Sequence, residues 1–418
     1  MSKTNGYSLK KLLLTFLFCL LVNTAWAHSI TDVALVGTEN LQTAQTITWK
    51  TDAGEKTFLE LRAEGQHPEK MQEFSPKKHL LFTEPGVVQC NAVFLTGLQP
   101  DTLYHYRIGS KGKNGMEWGM SSTFHTAKAK TDSFSFLVFG DSQNNSITTS
   151  AYTAWGKTCE NAYASHPDAK FFINLGDMVE EGQNYPHWTG WFAGAKNVID
   201  KIPAYPMTGN HESYVPTGHV PVPVEPEFWE AQWPTPANGP ADLKGTAYSF
   251  DYGSVHFAVL NTQEKEYLRF RSSILPEQKE WLEKDLAASR QPWKIILGHK
   301  PFYSISASAM HAAPEIAETF GPLLEKYPVD LVLNGHEHAI ARSDSYPLYY
   351  IAGQSGGKTP RNVVQKAPYV FLYNNNNEPN YLSITVTPEE IHIDCIGQAG
   401  NLLDSYTLKK PAQQKSAA

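Results

Sequence analysis

The sequence predicts an all-β sandwich followed by a larger α/β domain, both behind a short export leader. Three observations carry this. The N-terminus is basic, then apolar, and ends in a small-x-small site. Roughly 100 residues of short, alternating, strand-like runs come next. Beyond them, continuous apolar runs interleave with helical periodicity. The 418 residues exceed the usual size of one core, and 41% hydrophobic with 12% aromatic residues is ample to build two.

The leader is read over residues 1–27. Lys3, Lys10 and Lys11 precede an apolar run, Leu12 to Val22, that is too short to span a bilayer. Ala25-Trp26-Ala27 supplies the cleavage pattern, so the mature chain is expected to begin at His28 and to be periplasmic or secreted. An uncleaved anchor is the alternative. Losing three Lys and no acid moves the net charge from −7 to −10. That balance argues against nucleic acid or an anionic membrane as the main partner, and permits a small anionic substrate if cations reverse the local field. Cys90, Cys159 and Cys395 remain in the mature chain, and their spacing reads as buried thiols rather than a disulfide framework.

Residues 28–128 form the first domain. Thr46–Lys50, Phe58–Arg62, Val87–Leu95 and Leu103–Ile108 are strand-like runs between turn residues, with no competing helical period. The segment Gly97-Leu98-Gln99-Pro100-Asp101-Thr102-Leu103-Tyr104 resembles a late strand of fibronectin type III-like domains. Ala127 to Asp132 reads as a linker, and residues 133–410 as the second domain. Phe134–Phe139, Phe171–Leu175, Val255–Leu260, Ile295–Leu297 and Leu331–Leu333 suit strands buried on both faces. Pro276–Ser289 and Glu315–Tyr327 carry apolar residues at helical spacing. Residues 215–240, dense in Pro, read as a long irregular loop, Asn374–Asn377 as a turn, and 411–418 as a disordered tail.

The chemistry lies where the apolar runs stop. They end in Gly140-Asp141-Ser142-Gln143, Gly176-Asp177, Gly209-Asn210-His211-Glu212, Gly298-His299 and Gly335-His336-Glu337-His338. Strand ends at one edge of an open α/β sheet converge on a crevice, so five such ends would gather oxygen and imidazole ligands. The glycine before each motif is expected to make the tight turn. Carboxylates and imidazoles without thiolate suit Mn, Fe, Zn or Mg. Each motif alone is more often a turn or a cap; their joint, ordered occurrence is what argues for a site.

That order resembles the calcineurin-like metallophosphoesterase superfamily. The leading β-domain and Gly298-His299-Lys300-Pro301-Phe302-Tyr303-Ser304 make the chain most similar to its purple acid phosphatase branch. The resemblance implies a four-layer α/β/β/α sandwich and a phosphoester hydrolase in which a hydroxide shared by two divalent metals attacks phosphorus in line. It further implies that Asp177 bridges the metals, that Asp141 and His338 bind the first, and that Asn210, His299 and His336 bind the second. His211 would assist the leaving group.

Two positions depart from the branch. Glu180 stands where the branch has the tyrosine that colours ferric iron, so no purple ferric site is expected. Gln143 offers an amide oxygen as a further first-site ligand, or else only a hydrogen bond to Asp141 or water. His311 and Arg342 are candidate substrate contacts. A small phosphomonoester is the expected substrate. A diester or nucleotide on the same site, or a catalytically dead scaffold, are the alternatives.

Overall fold

In the computed structural model, which describes residues 30–112, 115–144, 152–216, 221–243, 245–374 and 378–410, alternation along the first strands builds two facing sheets. The leader, the tail after residue 410 and residues 375–377 of the Asn-rich turn lie outside the described residues. The strands are β1 (Thr31–Val36), β2 (Ala44–Asp52), β3 (Thr57–Ala63), β4 (Gln72–Phe74), β5 (Lys77–Thr83), β6 (Gly86–Thr96), β7 (Leu103–Gly112) and β8 (Gly115–His125). They pair in the orders β1-β2-β6-β5 and β4-β3-β7-β8. Ile47 and Trp49 of one sheet meet Leu59, Tyr106 and Ile108 of the other.

The second domain contributes β9 (Phe134–Phe139), β10 (Phe172–Asn174), β11 (Ala204–Pro206), the hairpin β12 (Tyr214–Val215) and β13 (Val222–Pro223), β14 (Tyr248–Tyr252), β15 (Val255–Leu260), β16 (Trp293–Gly298) and β17 (Leu331–Asn334). β18 (Ile340–Ser343), β19 (Leu348–Ile351), β20 (Tyr369–Tyr373), β21 (Asn380–Val386), β22 (Glu390–Gly397) and β23 (Leu402–Lys409) complete it. One sheet runs β23-β22-β21-β9-β10-β11 and the other β14-β15-β16-β17-β19-β18-β20. Phe136, Phe171, Phe250 and Phe257 lie between the two sheets. Burying each such ring contributes ~1.5–3 kcal/mol. Helices α1 (Thr153–Ser165), α2 (Tyr185–Ala195) and α3 (Glu227–Gln232) cover the first sheet, and α5 (Leu275–Ala288) and α6 (Pro314–Lys326) the second. α4 (Glu264–Tyr267) is a single turn between β15 and α5. The chain is thus a β-sandwich followed by an α/β/β/α sandwich.

Three features differ from the sequence reading. The two domains share one sheet: β1 pairs in parallel with β11, Val36 opposite Ala204, so ten strands run across both. Residues 215–240 are not an irregular loop, for they hold the β12–β13 hairpin and α3, whose Phe228 and Trp229 are buried. α1 and α2 escaped periodicity for a physical reason. α2 buries His187, Trp188, Trp191 and Phe192 on one face, but its other face carries Pro186, Thr189, Ala193 and Gly194 and no charge, so little polar contrast marks the period. Cys90, Cys159 and Cys395 are free and buried, and no helix among the described residues is long and apolar enough to cross a membrane.

Away from the strand ends, His256 on β15 bonds Asp251 on β14 through Nδ1 (2.7 Å) and Asp285 on α5 through Nε2 (2.8 Å). Burial opposes its protonation, but the two carboxylates prevail and push the imidazole up to about 9. Because the folded value lies above the unfolded one, this stability is fully present below about pH 6.5 and is lost as pH rises through about 9. His256→Gln is therefore expected to destabilise the fold by on the order of 2 kcal/mol near neutral pH. Thermal melts of both proteins across pH should converge at alkaline pH; a gap independent of pH would refute the charged pairing.

Candidate metal centre at the strand ends

Register brings the motifs level. Asn174 lies opposite Phe139 on one side and Pro206 on the other, so β9, β10 and β11 end together and release Asp141, Asp177 and Asn210 at one edge. In the facing sheet, Gly298 lies opposite Asn334, which brings His299 level with the His336–His338 turn. Asp141, Gln143, Asp177 and His299 are wholly inaccessible to solvent, and Asn210, His336 and His338 are at most 5% exposed.

The glycines do not act as the sequence suggested. Of those preceding the motifs only Gly176 has a positive φ; the left-handed residues are the candidate ligands themselves, Asp141, Asp177, His336 and His338 at φ 48°, 50°, 72° and 51°. Such conformations cost of order 1–3 kcal/mol each and cluster where function demands them. The glycines instead permit close approach. A Cβ on Gly209 would stand 2.2 Å from Asp177 Oδ1, and one on Gly335 would stand 2.7 Å from Asp141 Oδ2.

Backbone partners aim the side chains. His299 Nδ1 donates to the Leu175 carbonyl (2.8 Å) and His338 Nδ1 to that of Thr359 (2.9 Å), which fixes the tautomers and turns both Nε2 atoms inward. Around His299 Nε2 stand Asp177 Oδ2 at 3.2 Å, Asn210 Oδ1 at 3.2 Å and His336 Nδ1 at 3.1 Å. One proton on that nitrogen cannot serve three acceptors. Asn210 reaches this pose because its Nδ2 donates to the Tyr214 hydroxyl. His338 Nε2 lies 3.4 Å from Asp141 Oδ1, and both atoms lack a hydrogen-bond partner, as do Gln143 Oε1 and His336 Nε2. Buried acceptors facing one another without donors are what a cation resolves. Asp177–His299–His336 and Asp141–Asp177–His338 each bring one ligand atom per residue within 4.8 Å, and Asp177 belongs to both groups. The residues therefore fit two metal ions.

The charges agree. Burial works against ionising Asp177, but His299 and His211 overcome it and hold the carboxyl well below its usual range. Burial, then the Arg361 and His299 charges, keeps His336 well below the ordinary imidazole value. Gln143 Nε2 donates to Asp177 Oδ2 (3.1 Å), not to Asp141, and its Oε1 is the buried acceptor named above. His211 donates its backbone N–H to Asp177 Oδ1 (2.9 Å) and its Nδ1–H to the Glu180 carbonyl (2.6 Å), leaving Nε2 3.8 Å from Asp177 Oδ2.

The other candidates separate. The Glu180 carboxylate is paired with Lys358 at 2.5 Å. The His311 ring packs edge-on against that of His336, 6.0 Å between centroids. Arg342 must be corrected: its guanidinium takes Asp404 through Nε (2.9 Å) and Nη2 (3.2 Å) and lies over Tyr406, so it is a structural ion pair and no phosphate contact. Three participants went unread. Lys358 and Arg361 lie on the loop between β19 and β20, which carries no ligand signature. Glu212 lies inside the Asn-His-Glu motif, where an acid next to two ligand types carries no separate signal. Its Oε2 accepts from the N–H groups of Asp177 (2.9 Å) and Gly209 (2.6 Å), and its Oε1 from that of Met178 (2.8 Å).

The geometry has relatives. Residues 134–339 match the calcineurin-like phosphoesterase model, and residues 30–127 match that of the purple acid phosphatase N-terminal domain. Purple acid phosphatase 15 of Arabidopsis thaliana is 25% identical over 323 residues, 68% of this chain and 56% of that protein. An uncharacterized protein of Mycobacterium tuberculosis is 27% identical over 290 residues, 62% of this chain and 51% of that one. The chain therefore spans about half the length of these curated relatives. A purple acid phosphatase from yellow lupin (Lupinus luteus) seeds superposes with a TM-score of 0.75 over 91% of this chain and 74% of its own, at 18% identity, which speaks for the fold.

Replacing Glu212 by Gln keeps its shape but turns an N–H₂ towards backbone donors. A loss of about 1–3 kcal/mol in stability is expected. The gap between Asp177 and Gly209 should widen as well, measured as at least a tenfold weaker metal affinity. Unchanged melting and metal content would show that the bonds contribute nothing. With its strand ends, shared Asp177 and matched models together, the chain carries a calcineurin-like phosphoesterase domain behind a purple acid phosphatase N-terminal domain, in the fold of the lupin enzyme.

Proposed function

We propose that this chain is an exported two-metal phosphoester hydrolase acting on small phosphomonoesters. The observation that carries the reading is Asp177, shared between two buried ligand groups in which Asp141 Oδ1, His336 Nε2 and His338 Nε2 have no hydrogen-bond partner. In this reading Asp141, Gln143, His338 and Asp177 hold one divalent cation, and Asp177, Asn210, His299 and His336 the other. Two such ions supply charge to draw in the phosphoryl oxygens and lower the pKa of water.

The chain's own groups do the rest. Leu175 and Thr359 lock the imidazoles of His299 and His338, so the cluster is organised before substrate arrives. His211 holds its Nδ1 proton on the Glu180 carbonyl, so Nε2 is the atom left to serve the departing oxygen, and the proton it passes there is the second one, carried by the imidazolium. Lys358, though paired with Glu180, adds positive charge beside His211. Glu180 turns to Lys358 instead of the cluster, which supports a colourless centre of Mn, Fe, Zn or Mg without a phenolate ligand. The leader pattern of residues 1–27 and the acidic mature balance support export and a small soluble substrate.

Asp177→Ala should abolish both metal uptake and turnover of an aryl phosphate. His211→Ala should retain the metals and lose 10²–10⁴-fold in kcat. Metal analysis and kinetics with Mn, Zn, Fe and Mg added back after chelation read both. Fewer than one metal per chain with no activity on monoesters would overturn the proposal, and turnover confined to diesters would move the chain to the diester hydrolases.

A further inference from the structure

The ten-stranded sheet ends at β5, which pairs with β6 on one side and, among the described residues, with no strand on the other. The two-residue turn Glu84-Pro85 sets Thr83 opposite Gly86, so the odd-numbered residues of β5 take the hydrogen-bonded positions of that ladder. Lys78, Leu80 and Phe82 therefore turn their N–H and C=O groups to the open edge, and no other described segment takes them. Their side chains share one face of the strand. On it Leu80 is 47% exposed and Phe82 74%, with Val87 of β6 opposite Phe82 and 37% exposed. Leu81, on the other face, is buried against the second domain, which holds the strand in place. A cavity of about 640 Å³ follows the edge, lined by every residue from Lys77 to Phe82. Because residues of both faces line it, the cavity opens on the edge itself.

Folds blunt such an edge with a short strand, a bulge, a proline or a charge. β5 has seven residues in unbroken register with β6, so only its lysines guard it. Lys78 Nζ takes the Glu55 carbonyl (2.6 Å), and neither Lys78 nor the exposed Glu84 belongs to an ion pair among the described residues. The order of residues removes the guard against one partner. At every second position the chain reads Lys78, Leu80, Phe82, Glu84, and the same four read backwards are their complement. Laid antiparallel on a second copy with Leu81 at the two-fold axis, Leu80 meets the partner's Phe82 and Lys78 meets the partner's Glu84. Each pair occurs twice, and the edge-facing backbone groups fall opposite one another. A slip of two residues either way sets Phe82 against Lys78 or Leu80 against Glu84, and a slip of one turns the apolar face over.

We propose that the open edge of β5 pairs antiparallel with the same edge of a second copy of this chain, joining the two ten-stranded sheets across a two-fold axis. Such a contact uses the same patch on both chains, so it closes at two. One strand pair and four matched side-chain pairs make a modest interface, in exchange with free monomer. β5 carries none of the candidate metal ligands, and the inference stands apart from the hydrolase reading.

Sedimentation equilibrium of the purified chain, taken up to on the order of 0.1 mM, should show monomer and dimer and nothing larger. Lys78→Glu and Glu84→Lys each set like charges opposite one another twice, and each should weaken the dimer about tenfold or more. The double variant exchanges the signs and restores both pairs, so its dissociation constant should return to within about threefold of wild type. Phe82→Lys should leave monomer throughout with an unchanged thermal melt, because the ring it removes is exposed. A wild type that stays monomeric, or a dimer indifferent to Phe82→Lys, overturns the proposal. So does a double variant no tighter than the single ones, since the pairing stands on that register.

Discussion

The strand ends hang on one buried carboxylate. Glu212 gathers the backbone N–H groups of Asp177, Met178 and Gly209, and so ties the turn after β10 to the turn after β11. Without it those donors would face a dry interior, and each unmet one costs ~1–3 kcal/mol. Burial and the neighbouring Asp177 push its carboxyl up to about 7, against the pull of the N–H donors. That tension shows how much negative charge the fold has forced into one small volume. Asp141, Asp177 and Glu212 are all inaccessible to solvent, within reach of only a few imidazoles. Protein groups alone do not balance the crowding, and cations at the shared Asp177 are its natural counterweight.

Strain follows from the same demand. Parallel strands deliver backbone to the edge, but side chains leaving an extended strand point across the sheet, not over its end. Turning Asp141, Asp177, His336 and His338 into the left-handed region swings their side chains over the edge, at a cost of several kcal/mol together. Glycine would relieve that cost and forfeit the ligand. The fold instead spends its glycines one residue earlier, where Gly209 and Gly335 let neighbouring motifs approach to contact distance.

The N-terminal sandwich belongs to this economy although it contributes no ligand. β1 extends the sheet beside β11, the strand that releases Asn210 and His211. The Tyr106 hydroxyl and Ser122 Oγ reach across to the Asp200 carbonyl just upstream (3.0 and 3.1 Å). A three-residue strand such as β11 has little cooperative stability of its own. Flanked by β10 on one side and β1 on the other, it holds its register, and with it the position of Asn210.

How much of this the sequence discloses depends on the kind of signal. Strands buried on both faces announce themselves as apolar runs, so β9 and β15 are read to the residue and the ligand motifs at their ends stand out. Long amphipathic helices such as α6 are read as well. A helix whose outer face carries no charge, such as α2, shows little periodicity, and strand partners such as β1 and β11, some 170 residues apart, carry no local mark of their pairing. The site divides the same way. Ligands need particular atoms at particular strand ends, and that demand writes a pattern. Thr359 serves through its carbonyl, which any residue could supply. Lys358 and Arg361 serve through charge at the end of long, flexible side chains, reachable from many backbone positions. The loop of residues 353–363 therefore has freedom that the strand ends lack. The groups that could hold metal are fixed by geometry, and the charges around them sit where geometry constrains the chain least.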